Sequence, residues 1–480
     1  MTSATRPRVP LWTSREADAA TGGRSSAPWR AGGVSIDSRT IAAGDLFVAL
    51  RGDTHDGHRF VSDAFEAGAA AAMVSDKPKG IAPDQSVIEV ADTYGGLLSL
   101  ARASRERATA RIVAVTGSVG KTGTKEMIAR MLEVQGPTAA SAGNLNNHLG
   151  APLSLARMPA NTAYAVFELG MNHAGEIEPL TRLVRPMVAL ITTVQAVHLE
   201  FFGSIEGIAD AKAEIFLGVE PGGVALINAE DGTHARLSEA ATRAGVSRIV
   251  SFGASPKAEA RLVSWQPKDE GSAIMAEIAG KTLRYELKLA GRHWAINSVA
   301  ALASIGALGA DPELGLSALA GFAPMKGRGA RHRLPIAGGD YELIDESYNA
   351  SPAAMRAALE TLGLRKADKN GRHIAVLGDM LELGPDGPRL HVELGQPILQ
   401  AGIDLVFLAG PQMAELYDSL PKGQRGGYAP DSAGLAPLVC QAVQAGDVVL
   451  VKGSLGSRMG VIVDSLIGED AGGGRAGRAL

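Results

Sequence analysis

Cysteine is almost absent: Cys440 is the only one in 480 residues. A disulfide within the chain is therefore impossible, and the apolar surroundings in "PLVCQAV" predict a buried place on a helix. Such sparing use of thiols fits a reducing compartment, and a cytoplasmic location is expected. Aromatic residues make up only 4% of the chain, so the core must be built chiefly from Ala, Val and Leu. Charge of one sign is also lacking, since 47 basic against 51 acidic residues leave a net −4, and nucleic acid finds no basic field. No stretch approaches the ~20 apolar residues of a membrane span, and the opening "MTSATRPRVPLW" lacks the apolar core of a secretory signal. A soluble chain is expected, with no integral membrane segment and no nucleic-acid partner.

What is present is a 46% hydrophobic chain with 59 glycines, the composition of a compact α/β enzyme. Its length predicts about three domains. From Val34 to about Ala110, short apolar runs ("DLFVAL", "AAAMV", "SVIEV") alternate with helix-like stretches and end in the charged, linker-like "ARASRERATAR". From Arg111 a regular βα series begins with "RIVAVT", "YAVFEL", "MVALITTV" and "GVALIN", runs that predict a parallel sheet covered on both faces. "AEIAGKTLRYELKL" reads as a hairpin with a Gly-Lys turn at the edge of that sheet. Near Pro324 the basic loop "MKGRGARHRLP" marks a second boundary, and a third βα series follows in "YELIDE", "HIAVLG", "DLVFLA" and "DVVLVK". The expected domains are therefore 1–110, 111–324 and 325–480, the last ending in the frayed tail "GEDAGGGRAGRAL".

"AVTGSVGKTGTK" carries the chemistry. The apolar run before it and the helix-compatible "KTGTKEMIARML" after it make a strand-loop-helix arrangement whose backbone N–H groups point at an anion. The full phosphate-loop pattern would have glycine where Val115 stands, so the match is the shortened "GSVGKT". Gly117, Ser118 and Gly120 would shape the cradle, Lys121 would meet the β and γ phosphates, and Thr122 would offer its hydroxyl to Mg²⁺. In "FELGMNHAGEI", Glu168 closes a predicted strand on the same rim, either as a second metal ligand or as a solvated strand end. Spacing alone leaves His198 and Lys212, in "HLEFFGSIEGIADAKAEIF", as ordinary structural residues.

Seven motifs in order, "TGSVGKT", "GNLNNHLGAPLSL", "FELGMNHAGEI", "HLEFFGSIEGIADAKAEIF", "DESYNASP", "VLGDMLELG" and "VKGSLGSRMG", closely resemble the Mur ligases over nearly the whole chain. The resemblance implies an α/β fold of three domains: a central parallel-sheet, P-loop ATPase-like domain flanked by a small N-terminal α/β domain and a C-terminal Rossmann-like domain. It implies an ATP-dependent ligase of peptidoglycan precursor synthesis, and within the family the motifs look most like the branch that adds D-alanyl-D-alanine to UDP-N-acetylmuramoyl-tripeptide. There the tripeptide carboxylate attacks the γ-phosphate of ATP to give an acyl phosphate, which the dipeptide amine then attacks; positioning and charge neutralisation dominate such chemistry. The cofactors implied are ATP and two Mg²⁺ ions, with Thr122 and Glu168 at the first ion and His198 at the second. Lys212 matches a lysine carried as a carbamate, which would present a carboxylate to the metals where a bare ammonium would repel them.

The same resemblance assigns Asn144, Asn146 and Asn147 to the muramoyl substrate and phosphates, and Asn297 to the adenine side, next to Trp294 where asparagine is usual. An arginine of "GRGARHRL", Arg328 or Arg331, belongs by the γ-phosphate. Asp345, Glu346, Tyr348 and Asn349 belong to the C-terminal share of the site, while Ser351 and Pro352 also read as a helix start. Ser35, Asp37, Ser38, Arg39 and the His55–His58 loop are candidates for the UDP end, and a monomer is expected. A sister ligase would carry "DNPR" in place of "GDMLELG", a folylpolyglutamate synthase would lack the first domain, and a binding protein without chemistry would lack the ligand set. A site shared by three domains should close on its ligands, leaving the arginine and Asp345 far from the phosphate loop before they bind.

Overall fold

In the computed structural model, the residues described are 10–52, 55–76, 81–197, 199–268, 271–323, 325–365, 367 and 371–468. Three larger sheets follow one another along the chain. The first has the order Arg24–Ser25, Val87–Glu89, Ala71–Val74, Asp45–Val48, Gly33–Ser35, parallel apart from its first strand. One face packs on residues of its own unit, from Phe47 and Val61 to Val87, while the core on the other face is shared. Leu97 and Leu100 of the helix Thr93–Arg107 pack with Leu153 and Ala156 of the next unit, the Trp12 indole donates to Ala156 O (2.8 Å), and Arg157 Nε donates to Val34 O (2.6 Å). The charged stretch read as a linker is the end of that helix, with Arg105 buried and donating to the carbonyls of Val184 and Arg185.

The central sheet has nine strands. Arg111–Thr116 lies between Tyr164–Glu168 and Val188–Ile191, all parallel, so the carboxyl ends of three buried strands share one rim. Uninterrupted apolar runs are required here because both faces are covered, one by the helices Lys121–Glu133 and Arg292–Ala307, the other by Ile177–Val184 and Ile205–Ala213. At the far edge, Gly271–Ile278 and Lys281–Leu287 form the antiparallel hairpin. Its turn is Ala279-Gly280, both at positive φ, and Lys281 already belongs to the strand, so the turn lies one residue before the Gly-Lys expected.

The third sheet runs Ala330–Ile336, Gly339–Glu346, Val448–Lys452, His373–Gly378, Leu405–Ala409, Arg425–Ala429. Much of the basic loop of the sequence reading is in fact its antiparallel edge strand, Ala330–Ile336, whose polar residues alternate outward. Ser351 caps the helix Pro352–Gly363, accepting from the Ala354 N–H at 3.3 Å, as its sequence predicts. Cys440 is on a helix but exposed: Leu435, Ala436 and Val439 take the inward face of Ser432–Ala442, and the next residue turns to solvent. We propose domain divisions after residues 110 and 324, since each large sheet draws on one contiguous stretch; Pro324 itself and the tail from 469 lie outside the described residues.

Candidate active site

The strand Arg111–Thr116 ends in a turn that only glycine can make. Gly117 has φ +148° and Gly120 φ +87°, and a Cβ on Gly117 would lie 1.9 Å from Thr192 Oγ1. The turn is tied to the neighbouring strand: Thr192 Oγ1 donates to Val119 O (2.6 Å), the Ser118 N–H to Thr193 O (2.8 Å), and the Gln195 N–H to Ser118 Oγ (2.9 Å). Its N–H groups therefore stand at the start of the helix Lys121–Glu133, a preformed anion seat. Lys121 Nζ folds back on the Gly117 and Ser118 carbonyls (2.6 and 3.3 Å), and burial pushes its pKa down, with Glu168 opposing and Arg328 assisting.

Glu168 is 1% exposed at the end of Tyr164–Glu168. Its Oε1 accepts from Asn146 Nδ2 at 2.7 Å, while the buried Oε2 has no hydrogen-bond partner among the described residues. A carboxylate oxygen left bare in a buried place costs free energy unless a cation meets it. With the buried Thr122 at the head of the adjacent helix, the residues present fit a hard divalent cation. Lys212, on Ile205–Ala213, is 3% exposed and its ammonium has no partner among the described residues. Burial, then the Lys121 charge, hold its pKa well below the ordinary lysine range. His198 lies outside the described residues.

A cavity of about 410 Å³ opens between the central and C-terminal sheets, and the phosphate loop, Glu168, Asn144, Asn146, Asn297, Arg328, Glu346, Tyr348 and Asn349 line it. The Arg328 guanidinium stacks on the Tyr348 ring, 3.9 Å from its centroid. Arg331 points elsewhere, its Nε donating to Glu342 across the edge hairpin. Asp345 is not on the wall. Fully buried, it accepts from the Gly327 N–H (2.7 Å) and from the Ser347 N–H and hydroxyl (3.1 and 2.6 Å), and so holds the loop that presents Arg328. Asn147 also serves the backbone, its Oδ1 accepting from the Leu149 and Gly150 N–H groups at a helix start. The expectation that the arginine stands far from the phosphate loop is not what this structure shows: Arg328 and Lys121 line the same cavity.

Sequence reasoning did not select Lys452, His293 or Trp294, all of which line the cavity. Lys452 Nζ donates to Glu346 Oε2 (2.8 Å) and to Asn349 O (3.0 Å) from the adjacent strand. Burial works against the Glu346 charge, yet the Lys452 ammonium and His293 hold its pKa below the usual carboxylate range. The signal for Lys452 was its place at the end of the run "DVVLVK", before two glycine-bearing turns. Trp294 packs so closely on the phosphate-loop helix that a Cβ on Gly123 would lie 2.4 Å from its ring.

The N-terminal candidates do not line this cavity. Ser35 is buried with its hydroxyl on Asp37 O (3.1 Å), Asp37 accepts from the Arg39 backbone and guanidinium, and Ser38 opens the short helix that Asp37 caps. In the neighbouring loop, His58 Nε2 accepts from the Ser75 N–H (2.9 Å) with Asp56 against Nδ1 (2.7 Å), a satisfied structural arrangement.

Comparison with known proteins agrees with this architecture. Family models described as the Mur ligase family catalytic domain, the Mur ligase middle domain and the Mur ligase glutamate ligase domain match residues 30–106, 115–305 and 332–455. The UDP-N-acetylmuramoyl-tripeptide–D-alanyl-D-alanine ligase of Rickettsia prowazekii (strain Madrid E) is 36% identical, covering 95% of this chain and 99% of that protein. The enzyme of the same name from Bacillus subtilis (strain 168) is 34% identical over 91% of this chain and 93% of its own. Among solved structures, MurF from Acinetobacter baumannii superimposes with a TM-score of 0.82 at 31% identity, covering 96% of this chain and all of that one. MurF from Thermotoga maritima in complex with ADP follows at 0.75 and 27% identity, covering 91% and 97%. With three family models in order and full-length relatives above 30% identity, the chain belongs to the Mur ligase family.

Proposed function

We propose that this chain uses ATP to join D-alanyl-D-alanine to UDP-N-acetylmuramoyl-tripeptide, giving UDP-N-acetylmuramoyl-pentapeptide, ADP and phosphate. One observation carries the reading: an anion-binding turn, a carboxylate with a bare buried oxygen and an arginine from the C-terminal unit meet in a single cavity. The names of the full-length relatives supply the substrates, and the ADP complex of a structural relative supports the nucleotide.

The loop N–H groups and Lys121 seat the β and γ phosphates, and Arg328 reaches the transferring phosphoryl group from the opposite wall. Thr122 and Glu168 would hold Mg²⁺, whose charge would neutralise the phosphoryl oxygens, with His198 and a carbamylated Lys212 at a second ion. Asn144 and Asn146 present neutral amides to the muramoyl end without adding charge. Asn297 would face the adenine, and Glu346, Tyr348 and Asn349 of the same cavity would complete the C-terminal wall. In this reading residues 1–110 hold the UDP end and 325–480 the dipeptide, and the chain works as a monomer in the cytoplasm; no helix among the described residues is long and apolar enough to cross a membrane.

The test is phosphate release by the purified protein with Mg²⁺, ATP and UDP-N-acetylmuramoyl-tripeptide, with and without D-alanyl-D-alanine, the peptide product being weighed by mass spectrometry. Turnover that needs the dipeptide and yields the pentapeptide is expected. Turnover driven by a single amino acid moves the chain to a sister ligase, and no stimulated turnover leaves a nucleotide-binding protein.

A further inference from the structure

Lys125 is a buried cation that the mechanism above leaves unused. It sits one helical turn beyond Lys121 and is 0% exposed. A buried ammonium is destabilising unless paired and hydrogen-bonded, so its partners state its purpose. Nζ donates to Ser141 O at 2.6 Å and to Glu126 Oε1 at 2.5 Å. Glu126 is partly exposed and balances the charge from the solvent side. Ser141 is buried and turns the inner contact toward the site.

The backbone N–H of Glu168 donates to Ser141 Oγ at 3.0 Å. Ser141 also begins the loop that carries Asn144 and Asn146, and Asn146 Nδ2 returns to Glu168 Oε1 at 2.7 Å. The Gly170 N–H donates to Asn146 O at 2.8 Å and closes the ring. Lys125, Ser141, Glu168 and Asn146 are therefore linked by hydrogen bonds, and the buried Oε2 of Glu168 is left without a hydrogen-bond partner among the described residues. We infer that Lys125 is a positioning residue: through Ser141 it sets the aim of the Glu168 carboxylate at the divalent cation and the placement of the asparagine loop. This rests on the reading of Glu168 as the magnesium carboxylate. Outer contacts of this kind commonly govern metal affinity although they never touch the ion.

The experiment is Mn²⁺ binding to the full chain in the presence of a non-hydrolysable ATP analogue, followed by electron paramagnetic resonance, beside the Mg²⁺ dependence of turnover. Lys125→Met is expected to weaken Mn²⁺ binding by about tenfold or more and to raise the Mg²⁺ needed for half-maximal rate in parallel. At saturating Mg²⁺ its kcat should fall less, and Lys125→Arg should restore most of the affinity. Should Lys125→Met fail to fold, Ser141→Ala carries the same expectation, because it leaves the carbonyl that Lys125 uses and removes the hydroxyl that Glu168 uses. A folded variant with wild-type Mn²⁺ affinity and only a lower melting temperature overturns the inference. Glu168→Gln separates the two levels. If it also leaves Mn²⁺ affinity unchanged, the metal reading of Glu168 falls and takes the inference with it; if it alone weakens binding, only the role of Lys125 falls.

Discussion

Lys212 shows what a buried amine costs a fold. Its folded pKa lies below its unfolded value, so the unfolded chain binds the extra proton, and stability rises with pH from the folded pKa up to the ordinary lysine pKa. At neutral pH the residue is a net penalty. Lys212→Met is therefore expected to raise the melting temperature in bicarbonate-free buffer, by about 2–4 °C for each kcal/mol of penalty removed, while abolishing ligation. Added bicarbonate should raise both stability and rate in the wild type and change neither in the variant. A melting temperature that falls on substitution would show that the amine is accommodated without strain.

Arg328 and Arg331 are three residues apart, and their surroundings separate them. Arg328 faces the phosphate loop across the cavity, whereas Arg331 is engaged by Glu342. Removing a charged donor that meets the transferring group costs about 10²–10³ in kcat. Arg328→Ala should show a loss of that order with a smaller change in KM for ATP, and Arg331→Ala should remain within a fewfold of the wild type. Equal losses in steady-state kinetics would dispose of the distinction.

At the scale of elements, the site depends on two helices meeting at a glycine. Gly123 lies in the first turn of the phosphate-loop helix, and Trp294 of the helix Arg292–Ala307 occupies the space its side chain would need. Overpacking of this sort costs about 1–3 kcal/mol. Gly123→Ala is expected to lower stability by that amount in urea unfolding and to raise KM for ATP, because Asn297, one turn beyond Trp294, sits against Gly120. An unchanged KM with lowered stability would make the contact purely structural. Propensity rules alone would have called the glycine a defect; the neighbouring ring explains it.

At the scale of the whole molecule, the N-terminal and central units share a core, while the central and C-terminal units meet across the cavity. Lys121 and Arg328 face that cavity from the two units, and the Arg328 charge works against the protonation of Lys121. With no anion bound, that repulsion favours opening; ATP and the UDP-peptide would relieve it. Small-angle scattering should therefore show the radius of gyration falling when a non-hydrolysable ATP analogue and UDP-N-acetylmuramoyl-tripeptide are added, and falling partly with salt alone. No compaction with both ligands would count against a closing cleft.

The local pattern was legible because it is written in neighbours along the chain. The apolar runs marked the strands of the central sheet, the glycines and Lys121 marked the anion turn, and Ser351-Pro352 marked a helix start, each a matter of backbone geometry within a few residues. The motifs were enough to place the chain among the Mur ligases. What the sequence could not decide were contacts made across long separations. Packing put Arg328 rather than Arg331 on the cavity wall and turned Asp345 from a wall residue into the anchor of the Arg328 loop. It joined Lys452 to Glu346, 106 residues away, and left one oxygen of Glu168 bare. Spacing along a strand or helix tells which face a side chain takes, but whether that face meets a partner, a cavity or nothing depends on where the other elements settle, and only the folded chain decides that.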